Sequence, residues 1–363
     1  MNILFHIPYD VHVKNRWDGE MIRHGGAAVS GTHQTLVLVA EYLAKYTNHQ
    51  IYVLNNCYNK TYKGVHYVEL AQNLPNDIHT LVVLNWTSYI PISNVRALQH
   101  VIAWYQCPEY NYSLHQVLFP LSQTSNARIS FMHVSEWSKS NVFKAFSGFY
   151  PLCKSITIPN ALMIDCLPPN IDFGVSRPNT AIFFACWERG GVVAERCWEK
   201  VCKVGTGFGD FIKLNYAGGN QKGDKTCIFN TYANARYFIY PLINPDNGLI
   251  HRDTFACVVA EAIACGVEVL TYPVAALKEY YDGLVTWIPM PPTVTVDDVD
   301  SPYPTPSIPA LGHESHDDVI VKLLMDINTN YEQRTALRQE RAQKVRERFD
   351  PENLFAPWVD LVN

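Results

Sequence analysis

The chain has 363 residues, of which 48% are hydrophobic and 17% charged, and a formal net charge of -5. That length fits two domains of ordinary size with ample cores, and the acidic balance leaves no basic face for nucleic acid. The apolar opening (residues 1–13) is too short for a signal peptide or membrane anchor, and no run approaches 18 uninterrupted apolar residues. A cytoplasmic location without a transmembrane segment is expected, with peripheral membrane contact left open. Ten cysteines are scattered with no C-x-x-C pair, which argues against a zinc site or a disulfide framework and for small core residues in a reducing compartment.

In chain order, residues 1–7 read as a first buried strand. After a polar stretch, Gly25-Gly26-Ala27-Ala28-Val29-Ser30-Gly31 leads into a helix over 32–46, whose inner face carries Leu36, Val39, Ala40 and Leu43. A strand, a glycine-rich loop and a helix can cradle phosphate through backbone N–H groups; a plain connection fits the residues equally well. No G-x-G-x-x-G directly follows the strand, so the dinucleotide fingerprint is missing and an NAD oxidoreductase is disfavoured. Strands are expected at 51–54, 66–70, 80–85, 101–105 and 129–134, and Ser135-Glu136-Trp137-Ser138 opens a helix with capping chemistry. Pro168, Pro169, Gly174 and Pro178 interrupt regular structure, which places the domain boundary within 165–180. The domains expected are 1–170, 171–348 and a returning C-terminal segment, 349–363.

The second half repeats the alternation. Residues 181–186 and 213–217 read as strands, with Trp187-Glu188-Arg189-Gly190-Gly191 after the first of them, and 237–242 as another. Arg189 offers a guanidinium fork suited to phosphate oxygens, and its glycine neighbours let backbone draw close. Lys222 and Lys225 are read as a later loop that could add positive charge. Strands alternating with helices in both halves predict an α/β protein of two Rossmann-like domains facing across a cleft. Residues 289–312 hold seven prolines and no helical pattern, so a long ordered loop or flap is expected. Within it, Asp298-Val299-Asp300 lacks the strand context of a metal-binding D-x-D and reads as a solvated acidic loop. Residues 317–349 read as helix and 353–362 as a last amphipathic helix.

The densest chemistry lies at 251–280. Phe255, Val258, Val259 and Ala262 recur at helical spacing, Asp253 and Thr254 are good N-cap residues, and Cys265-Gly266 supplies a left-handed stop. Asp253 and Glu261 stand eight residues apart, so a ligand along the helix would meet one carboxylate at each end. Free N–H groups of the first turn would suit phosphate between them.

Asp253-Thr254-Phe255-Ala256, four mostly apolar residues, Glu261-Ala262, Ile263-Ala264 and Cys265-Gly266 together resemble the signature of retaining glycosyltransferases with the GT-B fold, especially glycosyltransferase family 4 (glycosyl transferases group 1). Two positions depart from that pattern: Asp253 stands where Glu is usual and Ala256 where Gly is usual. The resemblance implies a GT-B fold with a C-terminal helix crossing back to the first domain. It implies transfer of a hexosyl- or pentosyl-type sugar from a UDP- or GDP-type donor to a glycan or glycoconjugate hydroxyl, with retention. Asp253 would be catalytic; Gly25, Gly26, Arg189, Thr254, Phe255, Ala256, Cys257 and Glu261 would bind donor, with Glu261 on the ribose. Ile158-Pro159-Asn160 matches the family turn ending the first domain, and Gln106 stands nearest a family histidine that points at the donor sugar. No cofactor or metal is expected. An epimerase-like enzyme of the same fold and a non-catalytic carbohydrate- or nucleotide-binding relative are the alternatives.

Overall fold

A computed structural model of the chain describes residues 1–7, 17–24, 31–54, 59–69, 73–84, 98–106, 127–145, 153–174, 177–185, 189–215, 225–243, 251–290 and 314–363. Gly25, Gly26, Lys222 and the acidic loop at Asp298 lie outside the described residues, as does most of the proline-rich stretch. Among the described residues the chain divides into two compact units, 1–163 with 348–363, and 164–347.

The first unit is built on strands β1 (Asn2–His6), β2 (Gln50–Leu54), β3 (Lys60–Tyr62), β4 (Val65–Val68), β5 (Ile78–Leu84), β6 (His100–Tyr105), β7 (Arg128–His133) and β8 (Lys154–Thr157). They form one sheet in the order β3-β4-β2-β1-β5-β6-β7-β8, parallel throughout except where β3 meets β4. Apolar runs explain the sheet: every residue of β6 is buried, as expected of a parallel strand covered on both faces. Helix α2 (Gly31–Tyr46) buries Leu36, Val39, Ala40 and Leu43 as its periodicity predicts. The polar stretch before it contains a short helix that periodicity could not reveal, α1 (Gly19–His24). Asp18 Oδ1 accepts from the N–H groups of Glu20 and Met21 at its start, each at 2.9 Å. Arg23 then locks α1 to α2 by a buried two-point contact with Glu41, 2.7 Å at each nitrogen. Helix α3 (Glu136–Ala145) follows β7, with Ser135 Oγ accepting from the N–H of Ser138 at 3.0 Å, as the capping chemistry foretold.

The second unit carries β9 (Ala181–Ala185), β10 (Phe211–Asn215), β11 (Tyr237–Tyr240), β12 (Glu268–Thr271) and β13 (Thr286–Trp287). Their order, β10-β9-β11-β12-β13, is all parallel and reverses direction of growth between β9 and β11. Between strands run α4 (Gly191–Val204), α5 (Lys225–Ala233), α6 (Cys257–Ala264) and α7 (Ala276–Tyr281), followed by α8 (Glu314–Thr329) and α9 (Thr335–Arg348). Three expectations are corrected here. Lys225 is not on a loop but opens α5. Residues 317–349 are two helices, because the chain turns at 330–334 where Asn330 and Tyr331 close short hydrogen bonds. The cysteines are not all core residues, since Cys202 and Cys227 are exposed.

After α9 the chain re-enters the first unit as α10 (Pro351–Leu354) and α11 (Ala356–Val362). Asp350 caps α10 through the N–H of Glu352 at 2.9 Å, with Pro351 at the first helical position. Trp358 on α11 is fully buried against Trp104, at 4.8 Å between ring centres, and against Phe5 at 6.2 Å.

Candidate functional site

In an open parallel sheet, ligands bind outside the carboxyl ends of the strands where the strand order reverses. In the second unit that point lies between β9 and β11, and three polar side chains meet there. Arg189 follows β9, Tyr240 ends β11, and Asp253 lies between β11 and α6. Arg189 Nη1 donates to both carboxylate oxygens of Asp253 at 2.6 Å and to Tyr240 Oη at 3.2 Å. Tyr240 Oη in turn donates to Asp253 Oδ2 at 2.5 Å. Burial, and then the charge of Asp253, push the Tyr240 phenol well above its usual range, so it stays a donor at any working pH. Asp253 holds the Arg189 guanidinium firmly charged.

Local sequence explains the arrangement. Gly190 has φ 101°, and a Cβ there would meet Pro241 Cγ at 2.6 Å, so only glycine lets the Arg189 turn close on the end of β11. On the other side, the Phe255 ring packs on Tyr280 at 5.1 Å, and Tyr281 Oη donates to the carbonyls of Phe255 and Ala256 at 2.7 and 3.2 Å. This fixes the turn before α6. The expected N-cap is corrected: α6 starts at Cys257, its cap is Ala256 at φ 56°, and no side chain caps it. Asp253 is therefore held by Arg189 and Tyr240 instead of by helix N–H groups. Ala256 adopts the left-handed conformation that a glycine takes without cost, which accounts physically for Gly being usual at this position. The stop at Gly266 is as expected, with φ 75°.

Glu261 lies on α6 and is 1% exposed. Its Oε1 accepts from Lys225 Nζ at 2.5 Å. Lys225 thus serves as partner of this carboxylate, correcting its reading as a spare cation for phosphate. Thr254 and Phe255 are buried and Cys257 is half-buried. In the other unit, Gln106 is buried in a reciprocal amide pair with Asn160, at 2.9 and 3.0 Å. Beside it in that sheet, His133 stacks on Tyr105 at 5.2 Å, and burial pushes its imidazole down to about 3, which keeps it neutral. Among the described residues no group of His, Cys, Asp and Glu could hold a metal ion, and no helix is long and apolar enough to cross a membrane.

The sequence pattern picks out Arg189 and Asp253 separately; the structure brings them together and adds Tyr240, which sequence reasoning missed. A hydroxyl-bearing residue ending an apolar strand, Tyr237-Phe238-Ile239-Tyr240, just before a proline was the available signal.

Two mixed α/β units on parallel sheets, with the closing helices returned to the first, define the GT-B glycosyltransferase fold. The chain superposes on sucrose-phosphate synthase from Thermosynechococcus elongatus with a TM-score of 0.63 at 11% identity, covering 99% of this chain and 98% of the other. WaaG, a glycosyltransferase involved in lipopolysaccharide biosynthesis, gives 0.58 at 13% identity over 99% of both chains. HepE from Anabaena, in complex with UDP-glucose, gives 0.59 at 12% identity over 100% of this chain and 99% of that one. No protein-family model and no curated sequence matches the chain.

Proposed function

We propose that this chain is a glycosyltransferase that moves a sugar from a UDP- or GDP-type donor to the hydroxyl of a glycan or glycoconjugate, with retention of configuration. The observation that carries this reading is the Arg189–Tyr240–Asp253 cluster at the strand-order reversal of a GT-B unit, beside the start of α6. As the bond from the anomeric carbon to the diphosphate breaks, its electron pair passes to the phosphate, the acceptor oxygen bonds to that carbon, and the hydroxyl proton leaves on the departing phosphate oxygen. Arg189 and the first amides of α6 receive that charge, and Asp253 faces a carbon that becomes cation-like. Glu261 binds the ribose, for which Lys225 must share its carboxylate, so a small rearrangement accompanies binding. The first unit is the acceptor side and the second the donor side. Arg189 and backbone amides meet the phosphate charge, so no metal is required.

Thermal unfolding in the presence of UDP- and GDP-sugars tests the reading. A true donor at a hundred times its dissociation constant adds about 2.7 kcal/mol of stability, and transfer to an acceptor should persist in EDTA. No shift with any nucleotide sugar sinks the proposal; loss of transfer in EDTA, restored by manganese, sinks its metal-independent part. The Gln106–Asn160 clasp favours one second reading, a binding relative without turnover. A stabilising nucleotide sugar that never releases free nucleotide would select it.

A further inference from the structure

Arg189 touches its neighbours in an unusual way. Among the described residues, every hydrogen bond it makes runs through Nη1, which reaches both oxygens of Asp253 and the hydroxyl of Tyr240. Nη2 and Nε make none among the described residues, and the side chain is 34% exposed. A guanidinium tied at one nitrogen keeps three further N–H bonds in the same plane for another acceptor. What holds it at that one nitrogen is a carboxylate that is itself held. Tyr240 is fully buried, and its ring stacks on Phe238 at 5.3 Å, so its hydroxyl has little freedom to move. That hydroxyl gives its proton to Asp253 Oδ2 and accepts from Arg189 Nη1. It is the rigid member of the trio.

Resting on the donor reading above, we infer that Tyr240 is a positioning residue for diphosphate recognition: it pins Asp253, and through Asp253 the Nη1 edge of Arg189, so that Nη2 and Nε are presented to the phosphates. Without the hydroxyl, Asp253 has Arg189 as its one remaining partner among the described residues. The carboxylate can then turn and take two points of the guanidinium, the geometry such pairs prefer, and compete with phosphate for the same N–H groups.

The test is calorimetric binding of UDP, GDP and their nucleosides to wild type, Tyr240→Phe, Asp253→Ala and the double variant. Tyr240→Phe keeps the ring stack, and a single cooperative unfolding transition verifies that it folds. It should weaken the preferred diphosphate about tenfold, the loss expected of one hydrogen bond to a charged group, and leave the nucleoside unchanged. In the Asp253→Ala background the same substitution should change diphosphate affinity by less than about threefold, because the residue acts through that carboxylate. Equal affinity of Tyr240→Phe and wild type overturns the inference, as does an equal weakening in both backgrounds or a parallel loss of nucleoside binding. Wild type that binds neither UDP nor GDP would instead bring down the donor reading on which the inference stands.

Discussion

The sheet of the second unit carries an acid–arginine cluster at each end, and the two are built differently. At the amino end, Glu268 opens β12 and is fully buried. Arg334 grips it with Nε at 2.7 Å and Nη2 at 3.0 Å, and Arg341 Nη1 adds a third contact at 3.2 Å. Both arginines come from the α9 region, so the cluster fastens that helix to the sheet. At the carboxyl end, Asp253 is met by one nitrogen of one arginine and by a tyrosine hydroxyl. Glu268 is saturated, while Arg189 keeps most of its fork. The same two residue types therefore serve cohesion where contacts are doubled and recognition where they are left partial.

The largest expected effect separates the two clusters by chemistry. Asp253→Asn keeps the shape and removes the charge, and should lower turnover ~100-fold, about 2.7 kcal/mol for one electrostatic contact in the transition state. Normal turnover in steady-state kinetics would return Asp253 to a structural role like that of Glu268. Next, Arg189→Ala should weaken nucleoside-diphosphate binding by about 2 kcal/mol, roughly 30-fold, and nucleoside binding hardly at all. Equal losses of both in calorimetry would place Arg189 away from the phosphates. At the other end of the sheet, Glu268→Gln should cost about 1.5 kcal/mol of stability, moderated because Arg334 and Arg341 reach solvent. Denaturant titration should show this with donor affinity intact; a lost affinity would mean the ends are not independent. The smallest effect concerns the turn between Asp253 and α6. Ala256→Gly relieves a left-handed alanine worth roughly 1–2 kcal/mol against roughly 0.5–1 for the added freedom of glycine, a net gain of about 0.5 kcal/mol. A lowered unfolding midpoint would contradict it.

Much of this was legible beforehand. Buried parallel strands announce themselves as short apolar runs, and β1, β5, β6, β7 and β9 lie within two residues of expectation. Helix α2 was equally plain from its apolar positions, although it is buried on more than one face. What escaped was local or long-range. Helix α1 is six residues long, too short for a period to show, and rests on Asp18 and the Arg23–Glu41 contact. In the site, residue types were readable, but partners were not. Arg189 and Asp253 are 64 residues apart, Lys225 and Glu261 are 36 apart, and Gln106 and Asn160 are 54 apart. Only the sheet order brings such pairs together. The misplaced N-cap has the same origin: Asp253 is a good cap by type, but Arg189 and Tyr240 claim it.

The return of Trp358 to the first unit has a consequence for how the protein is made. Trp358 sits between Phe5 and Trp104, yet residues 164–347 leave the ribosome before it does. At roughly 5–20 residues per second, the amino-terminal sheet waits on the order of ten to forty seconds for the helix that carries Trp358. During that interval the face around Phe5 and Trp104 is open to chaperones. A premature stop between residue 163 and Trp358 would strand it in that condition, so the earliest-made unit is the last to be finished.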